Sequence, residues 1–411
     1  MKNDVEWKMV KLGDVCTMPT KTISSNTFET RFYVGTENML QNCSGVIDNE
    51  ISISTVRVRE YKNDDILMSN IRPYLKKIWF SDKDAGCSTD VNIFRATDKC
   101  FPKYLFHVLC QDDFFNYVND NAIGTKMPRG DKRIIPSFLI PIPYKNGAPD
   151  LETQKQIAQK LGDMDSLIAA KEMLLAKKRN LKVAAMQKLI KDEEGENWKK
   201  VKLGDVAEFL PTNTLSRDEL NYSEGEYLNI HYGDVLIKFE SVTDVLNSEI
   251  PYVSLNKKFS DKSLLKNGDI VMTDTAEDES VGKVTEIQNI GNCKVVSGLH
   301  TLCIRFQENL FAPKFAGYYL NSPAFHNLLL PYMHGTKVTS ISKGDVKKIN
   351  FPIPYKNSAP DLTEQRRIAS ILSDVDSEIT AIEKEITKLQ KLKTAMMQKM
   401  FCFEDSDSSS E

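Results

Sequence analysis

Two short segments concentrate side chains suited to holding phosphate. Gly124-Thr-Lys-Met-Pro-Arg-Gly-Asp-Lys-Arg133 carries four cations, Lys126, Arg129, Lys132 and Arg133, against one anion. Gly335-Thr-Lys-Val-Thr-Ser-Ile-Ser-Lys-Gly-Asp-Val-Lys-Lys348 has the same balance, and its candidate contacts are Lys337, Ser340, Ser342, Lys343 and Lys347. Lysine and arginine bring charge to a phosphate backbone, while glycine amides and hydroxyl side chains bring neutral donors. A third segment, Met68-Ser-Asn-Ile-Arg-Pro-Tyr-Leu-Lys-Lys77, adds Asn70, Arg72, Lys76 and Lys77. Asparagine and arginine are able to make paired hydrogen bonds to adenine and guanine edges. In the second half, His231, Tyr232 and His300 are expected in polar turns and complete the set. Any one segment alone also reads as a solvated loop. The recurrence of such segments in both halves favours nucleic-acid binding.

Catalytic constellations are not found in the sequence. It holds no G-x-x-x-x-G-K-[ST] phosphate loop and no G-x-G-x-x-G after a strand. The five histidines, His107, His231, His300, His326 and His334, lack paired spacing for a metal or a triad. The eight cysteines form no C-x-x-C pair and are expected as free thiols in or near cores. Ile142-Pro-Tyr144 and Ile353-Pro-Tyr355 superficially suggest the Asn/Asp-Pro-Pro-aromatic loop of amino-methyltransferases. They lack its Asn or Asp, so a linker is expected at both places. Asp150 and Asp361 follow prolines and are expected to cap helices. No catalytic residue, metal site or cofactor is expected on this chain.

The elements that must position the binding segments are duplicated. Trp7-Lys-Met-Val-Lys-Leu-Gly-Asp-Val15 recurs as Trp198-Lys-Lys-Val-Lys-Leu-Gly-Asp-Val206, and Pro141-Ile-Pro-Tyr-Lys-Asn-Gly-Ala-Pro-Asp-Leu151 as Pro352-Ile-Pro-Tyr-Lys-Asn-Ser-Ala-Pro-Asp-Leu362. The offset grows from 191 to 211 between these blocks, so the second unit is 20 residues longer within its body. Heads and tails match while the bodies between them differ. That pattern predicts one job done twice with two different ligands, or two versions of one ligand type.

Each unit ends in a heptad helix. Asp361-Leu-Thr-Glu364 has the spacing of a capping box. Beyond it, Ile368, Val375, Ile382, Leu389 and Met396 form one row, and Leu372, Ile379, Ile386, Lys393 and Met400 the other. In the first copy the rows are Ile157, Met164, Lys171, Lys178, Ala185 and Leu161, Ile168, Leu175, Lys182, Leu189. Its centre is more polar, and Leu174 and Leu181 are expected to continue the stripe as the helix drifts. At 1.5 Å per residue each helix is roughly 60 Å long, too long a stripe to bury within one body. Antiparallel pairing of the two is the simplest solution. Packing of each helix on its own body, or dimerisation, is the alternative.

The composition is that of a globular protein, with 41% hydrophobic and 27% charged residues among 411. Runs such as Asp65-Ile-Leu-Met-Ser69, Asp269-Ile-Val-Met-Thr273 and Thr301-Leu-Cys-Ile-Arg305 read as strands, and Tyr104–Leu109 and Pro313–Leu320 as helical. The expected class is α+β, with two α/β recognition domains separated by a long antiparallel two-helix coiled coil in pseudo-two-fold repeat. The expected bounds are 1–148, 149–192, 197–359, 360–401 and an acidic, disordered 402–411. No apolar run reaches membrane length, and the polar start, MKNDVEWKMV, is not expected to be a secretion signal, so the cytoplasm is expected. The net charge of −3 argues at first sight against a nucleic-acid-binding chain, but residues 404–411 alone carry −4.

The chain resembles the specificity subunit of type I restriction–modification enzymes. The resemblance spans residues 1 to about 401 and rests on the repeated heads, the Ile-Pro blocks, the Gly-Thr-Lys pairs and the ends Ala184-Ala-Met-Gln-Lys188 and Ala395-Met-Met-Gln-Lys399. Tyr33-Val-Gly-Thr-Glu-Asn38, Ile230-His-Tyr-Gly-Asp-Val235 and Ser297-Gly-Leu-His-Thr301 add to it. It implies two target-recognition domains, each reading one half of a split double-stranded DNA site. It also implies helices that bind two methyltransferase subunits, a restriction–translocase subunit joining the complex, and S-adenosylmethionine and adenine flipping on the partner methyltransferase. The helices would then act as a ruler for the gap between half-sites. The rival class is a non-DNA adaptor with two ligand modules on a coiled coil. An enzyme ranks third.

Overall fold

The computed structural model describes residues 5–47, 53, 56–191, 195–254, 257–335 and 337–401. The acidic end 402–411, with Cys402, and Thr336 lie outside the described residues. Two compact units result: Met1–Lys171 with Ile386–Glu411, and Glu172–Glu385.

In the first unit the repeated head forms strand Glu6–Lys11, antiparallel to Leu139–Lys145, with Trp7 opposite Pro143. The Ile-Pro block is therefore a paired strand and not a linker. Pro141 and Pro143 lie two apart, so the N–H groups they lack belong to the same side of the strand. On that side the Pro143 carbonyl accepts from the Asp150 N–H at 2.7 Å, which leads the chain into the long helix. The body holds a four-stranded antiparallel sheet in the order Cys16–Thr17, Val91–Ala96, Ile66–Ser69, Ile78–Phe80. Beside it is a three-stranded sheet of Thr22–Ser24, Arg57–Tyr61 and Ala85–Cys87. Helices Pro102–Leu109 and Asp112–Asp120 close the core, where Ile66, Phe94, Tyr104, Phe114 and Ile142 pack with Leu161 and Phe401 of the long helices.

The second unit repeats the plan with a larger sheet. Trp198–Lys202 pairs antiparallel with Asn350–Lys356. Five strands follow in the order Ala207–Leu210, Thr301–Phe306, Ile270–Thr273, Val284–Gln288, Val242–Asp244, the last pair parallel. A four-stranded sheet adds Leu220–Asn221, Tyr252–Val253, Tyr227–Ile230 and Lys294–Ser297. The same half-buried ion pair, on a buried carboxylate, braces both bodies. Arg95 binds Asp65 at 2.7 Å, and Arg305 binds Asp269 at 2.5 Å.

The long helices are Leu151–Leu189 and Leu362–Phe401. Asp361 caps the second through the N–H groups of Thr363 and Glu364, while the Glu364 carboxylate turns to Arg367 and leaves the box half-made. Buried Gln154 and Gln365 tie the helix starts to their bodies. Each accepts one backbone N–H (Phe101 and Ala312) and donates to one carbonyl (Lys99 and Leu310). Within the second unit the helices run antiparallel, Lys178 pairing with Glu378 and Lys182 with Asp376, and Met186 lies in the core with Ile368 and Leu372. Within the first unit, Asp165 pairs with Lys393 and Leu161 shares the core with Phe401. Of the seam residues, Leu161, Ile368, Leu372, Ile379, Ile382 and Ile386 are buried, and Ile168, Leu175, Leu189, Val375 and Leu389 half-buried. The drift expected through Leu174 and Leu181 does not occur. These are 38% and 50% exposed, because Lys178 and Lys182 stay on the seam and find carboxylates opposite. Among the described residues, no helix is long and apolar enough to cross a membrane.

Candidate nucleic-acid interface

In the first unit, two segments distant in sequence are laced together. The Arg72 N–H donates to the Pro128 carbonyl at 2.8 Å, and the Gly130 N–H to the Asn70 carbonyl at 3.1 Å. Asn70 directly follows strand Ile66–Ser69, so the sheet aims this loop. A side chain on Gly130 would meet Val118 at 2.8 Å and Asn70 Oδ1 at 3.0 Å, so glycine permits the close approach. Arg72 and Lys76 both adopt left-handed backbone, with φ of 51° and 49°, around the turn Pro73–Leu75.

The side chains divide by exposure. Arg72, Lys126, Arg129 and Arg133 are exposed. Arg133 is held by Asp131, a pairing that brings the Asp131 carboxyl down to about 2, and Arg129 by Asp90 at 3.3 Å. Lys76 pairs with Asp112 at 2.6 Å, Lys77 donates to the Thr36 carbonyl at 2.8 Å, and Lys132 is half-buried against the Thr89 carbonyl. Asn70 is only 6% exposed, and its Oδ1 accepts from Asn92 at 2.8 Å. Asp90 and Arg59, which sequence reasoning missed, join this surface. Charge on strand Arg57-Val-Arg59 was the available signal.

The second unit makes the equivalent junction with different chemistry. Asp274 follows Ile270–Thr273 as Asn70 follows its strand. The Asp274 N–H donates to the His300 carbonyl at 3.1 Å, and the Asp274 carbonyl accepts from Ile341 at 2.9 Å. Thr275–Ala276 then pairs antiparallel with Thr339–Ser340. His300 sits at φ 54°, its Nδ1 3.5 Å from Asp274. Its ring meets Tyr232 edge-on at 5.4 Å, and Tyr232 leans on His231 at 4.7 Å.

Two of these residues are not in polar turns. His231 is 7% exposed and caps helix Tyr232–Ile237, its Nδ1 accepting from Gly233, and Tyr232 lies in that helix. Burial, the Arg217 guanidinium and His300 push the His231 imidazole below its ordinary value, against the pull of Asp234. Lys337 and Ser340 are exposed at the ribbon. Ser342 is spent capping helix Lys343–Val346, and Lys343 and Lys347 lie over the Phe209 ring. Asp274 was legible from the twin Asp-Ile-x-Met runs, which place it opposite Asn70 in the repeat.

The surface offers cations, ring edges and backbone turns. Among the described residues, no group of three or more His, Cys, Asp or Glu could hold a metal. The model of the type I restriction modification DNA specificity domain matches twice, at residues 4–177 and 195–394. The MjaVIII type I restriction enzyme specificity subunit of Methanocaldococcus jannaschii is 25% identical over 95% of this chain and 91% of its own. The type I restriction–modification S subunit of M. genitalium has a similar fold, with TM-score 0.59 and 14% identity over 98% of both chains. A solved chain of a type I R-M system gives TM-score 0.55 at 21% identity, covering 96% of this chain and 97% of that one.

Proposed function

We propose a reading mechanism on the premise that this chain belongs to the type I restriction modification DNA specificity family. The chain is a DNA sequence-recognition subunit of a type I restriction–modification complex, a targeting subunit without catalysis of its own. Each body, 1–148 and 197–359, reads one half of a bipartite double-stranded site. The helices 149–192 and 360–401 hold two methyltransferase subunits. Those partners bind S-adenosylmethionine and flip the adenine, and restriction–translocase subunits join them, in the cytoplasm.

One observation carries this reading. Loops chosen from the sequence for their base-reading and phosphate-binding side chains are joined by backbone hydrogen bonds into one surface, Asn70–Arg72 with Pro128–Gly130. The second unit makes the corresponding junction from Asp274, His300 and Ile341. Arg72, Lys126 and Arg129 in one unit, and His300, Lys337 and Ser340 in the other, are among the exposed groups there and face the groove. Asn70, His231 and Tyr232 set the loops behind them.

The test is adenine-methylation mapping in a host expressing this chain with its methyltransferase partner. A methylated motif of two specified halves around an unspecified gap is expected. Methylation at a continuous motif, or none that depends on this chain, rejects the mechanism and returns the adaptor reading.

A further inference from the structure

Arg59 is absent from every motif of the sequence, yet the fold brings it to the reading loops. It lies on strand Arg57–Tyr61, opposite Cys87, and its guanidinium donates to the Val91 carbonyl at 3.2 Å. Lys132 reaches the same turn from the other loop and donates to the Thr89 carbonyl at 3.4 Å. Both side chains line one open cleft of about 460 Å³, walled in part by Leu12, Thr17 and Pro136. Arg129 approaches as well, held at 3.3 Å by Asp90.

Three cations thus gather on the turn 88–91 around a single carboxylate. Among the described residues, neither Arg59 nor Lys132 belongs to an ion pair, and each is steadied by a backbone carbonyl instead. Such a pair stands in mutual repulsion that a bound anion would relieve. Consistent with this, burial and then Arg59 push the Lys132 ammonium below its ordinary range, with Asp90 opposing and Arg129 adding to the push. The same turn is tied to the reading loop, because the Asp90 carbonyl accepts the Asn70 N–H at 2.8 Å.

We propose that Arg59 and Lys132 form a phosphate clamp at this cleft, gripping the DNA backbone beside the half-site read by the first unit. The proposal rests on the DNA-recognition reading and deepens it. The occupant is a backbone phosphate, since the charge is complementary and the anchoring turn is continuous with the base-reading loop. A clamp of this kind sets register and carries no sequence information.

The experiment uses the full chain assembled with its methyltransferase subunits. Affinity is measured for a duplex bearing the mapped site and for an unrelated duplex, from about 50 to about 200 mM salt. Arg59→Ala and Lys132→Ala are each expected to weaken both duplexes by a common factor of about three to ten. Each should also lower the slope of log affinity against log salt by about one. Arg59→Lys should keep the slope. Lys132→Met and Arg59→Met, which retain the apolar stems, serve as second variants where alanine disturbs folding. An unchanged slope overturns the clamp, as does a loss confined to the site-bearing duplex, which would mean a base contact. A wild-type complex that prefers neither duplex overturns the recognition reading and the clamp together. A wild type that discriminates, with variants equal to it, overturns the clamp alone.

Discussion

Arg72 and Asn70 stand two residues apart and do different work. Arg72 is exposed on a left-handed turn, whereas Asn70 is buried with its amide oxygen engaged by Asn92. Arg72→Ala should therefore relax discrimination at one half-site only, by about 1–3 kcal/mol where it meets a base edge, with protein stability unchanged. Asn70→Ala should relax the same half-site and also lower stability by about 1–3 kcal/mol, because Asn92 loses its buried partner. Paired binding and urea-denaturation measurements separate the two; equal loss on every duplex would reassign Arg72 to a phosphate. The thiols differ as sharply. Burial pushes Cys16, Cys87 and Cys100 up to about 12, while Cys43 is held below the ordinary range by its hydrogen bond with Cys110 and by Lys393 and Lys76, against burial. Iodoacetamide at neutral pH should label Cys43 first among these four, as read by peptide mass spectrometry. Burial brings His107 down to about 4, opposed by Asp165 and aided by Lys393 and Lys103. The unfolded chain takes up that proton near pH 6.5. The contribution is thus whole above about pH 6.5 and is lost as pH falls toward about 4. His107→Gln should flatten the urea midpoint over that window, and a slope left as steep would place it elsewhere.

At the scale of elements, the helix starts are locked by Gln154 and Gln365, each wholly buried and bonded to one N–H and one carbonyl of its own body. Gln365→Ala should cost about 1–3 kcal/mol, since the Ala312 N–H and Leu310 carbonyl would be left without a partner. A loss below that, measured by urea denaturation, would mean that water replaces the amide. The long helices were legible in the sequence because heptad spacing is local. The caps at Asp150 and Asp361 were legible for the same reason. Lys178 and Lys182 were not, because what keeps a lysine on a seam is the carboxylate opposite, here Glu378 and Asp376, some 200 residues away in the chain. The Ile-Pro strands were misread because proline argues locally against a sheet, while the pairing of Trp7 with Pro143 is long-range. The loops proposed to bind were picked out by residue type alone. Their junction, and the arrival of Arg59, depend on sheet register, which composition and spacing do not encode.

For the whole molecule, the net charge of −3 includes the −4 of residues 404–411, which leaves the rest near neutral while the candidate segments 124–133 and 335–348 are basic. The chain alone should therefore bind DNA weakly and non-selectively, and the assembled complex tightly, because partner subunits must supply much of the phosphate contact. Equal affinity with and without the methyltransferase would contradict that division of labour. A second consequence concerns the gap between half-sites. Leu151–Leu189 is one unbroken helix whose residues are shared between the two units, up to Lys171 in one and from Glu172 in the other. A helix lengthens by 1.5 Å per residue and cannot absorb an insertion as a loop does. Four residues added after Lys171 would extend it by about 6 Å, close to the length of two base pairs at about 3.4 Å each. A matching insertion before Ile386 would keep the carboxylates opposite Lys178 and Lys182. Methylation mapping of this double insertion should then return the same two half-sites around a longer gap. An altered half-site with the gap unchanged would mean that the helices do not set the spacing, and that the bodies find their half-sites by other means.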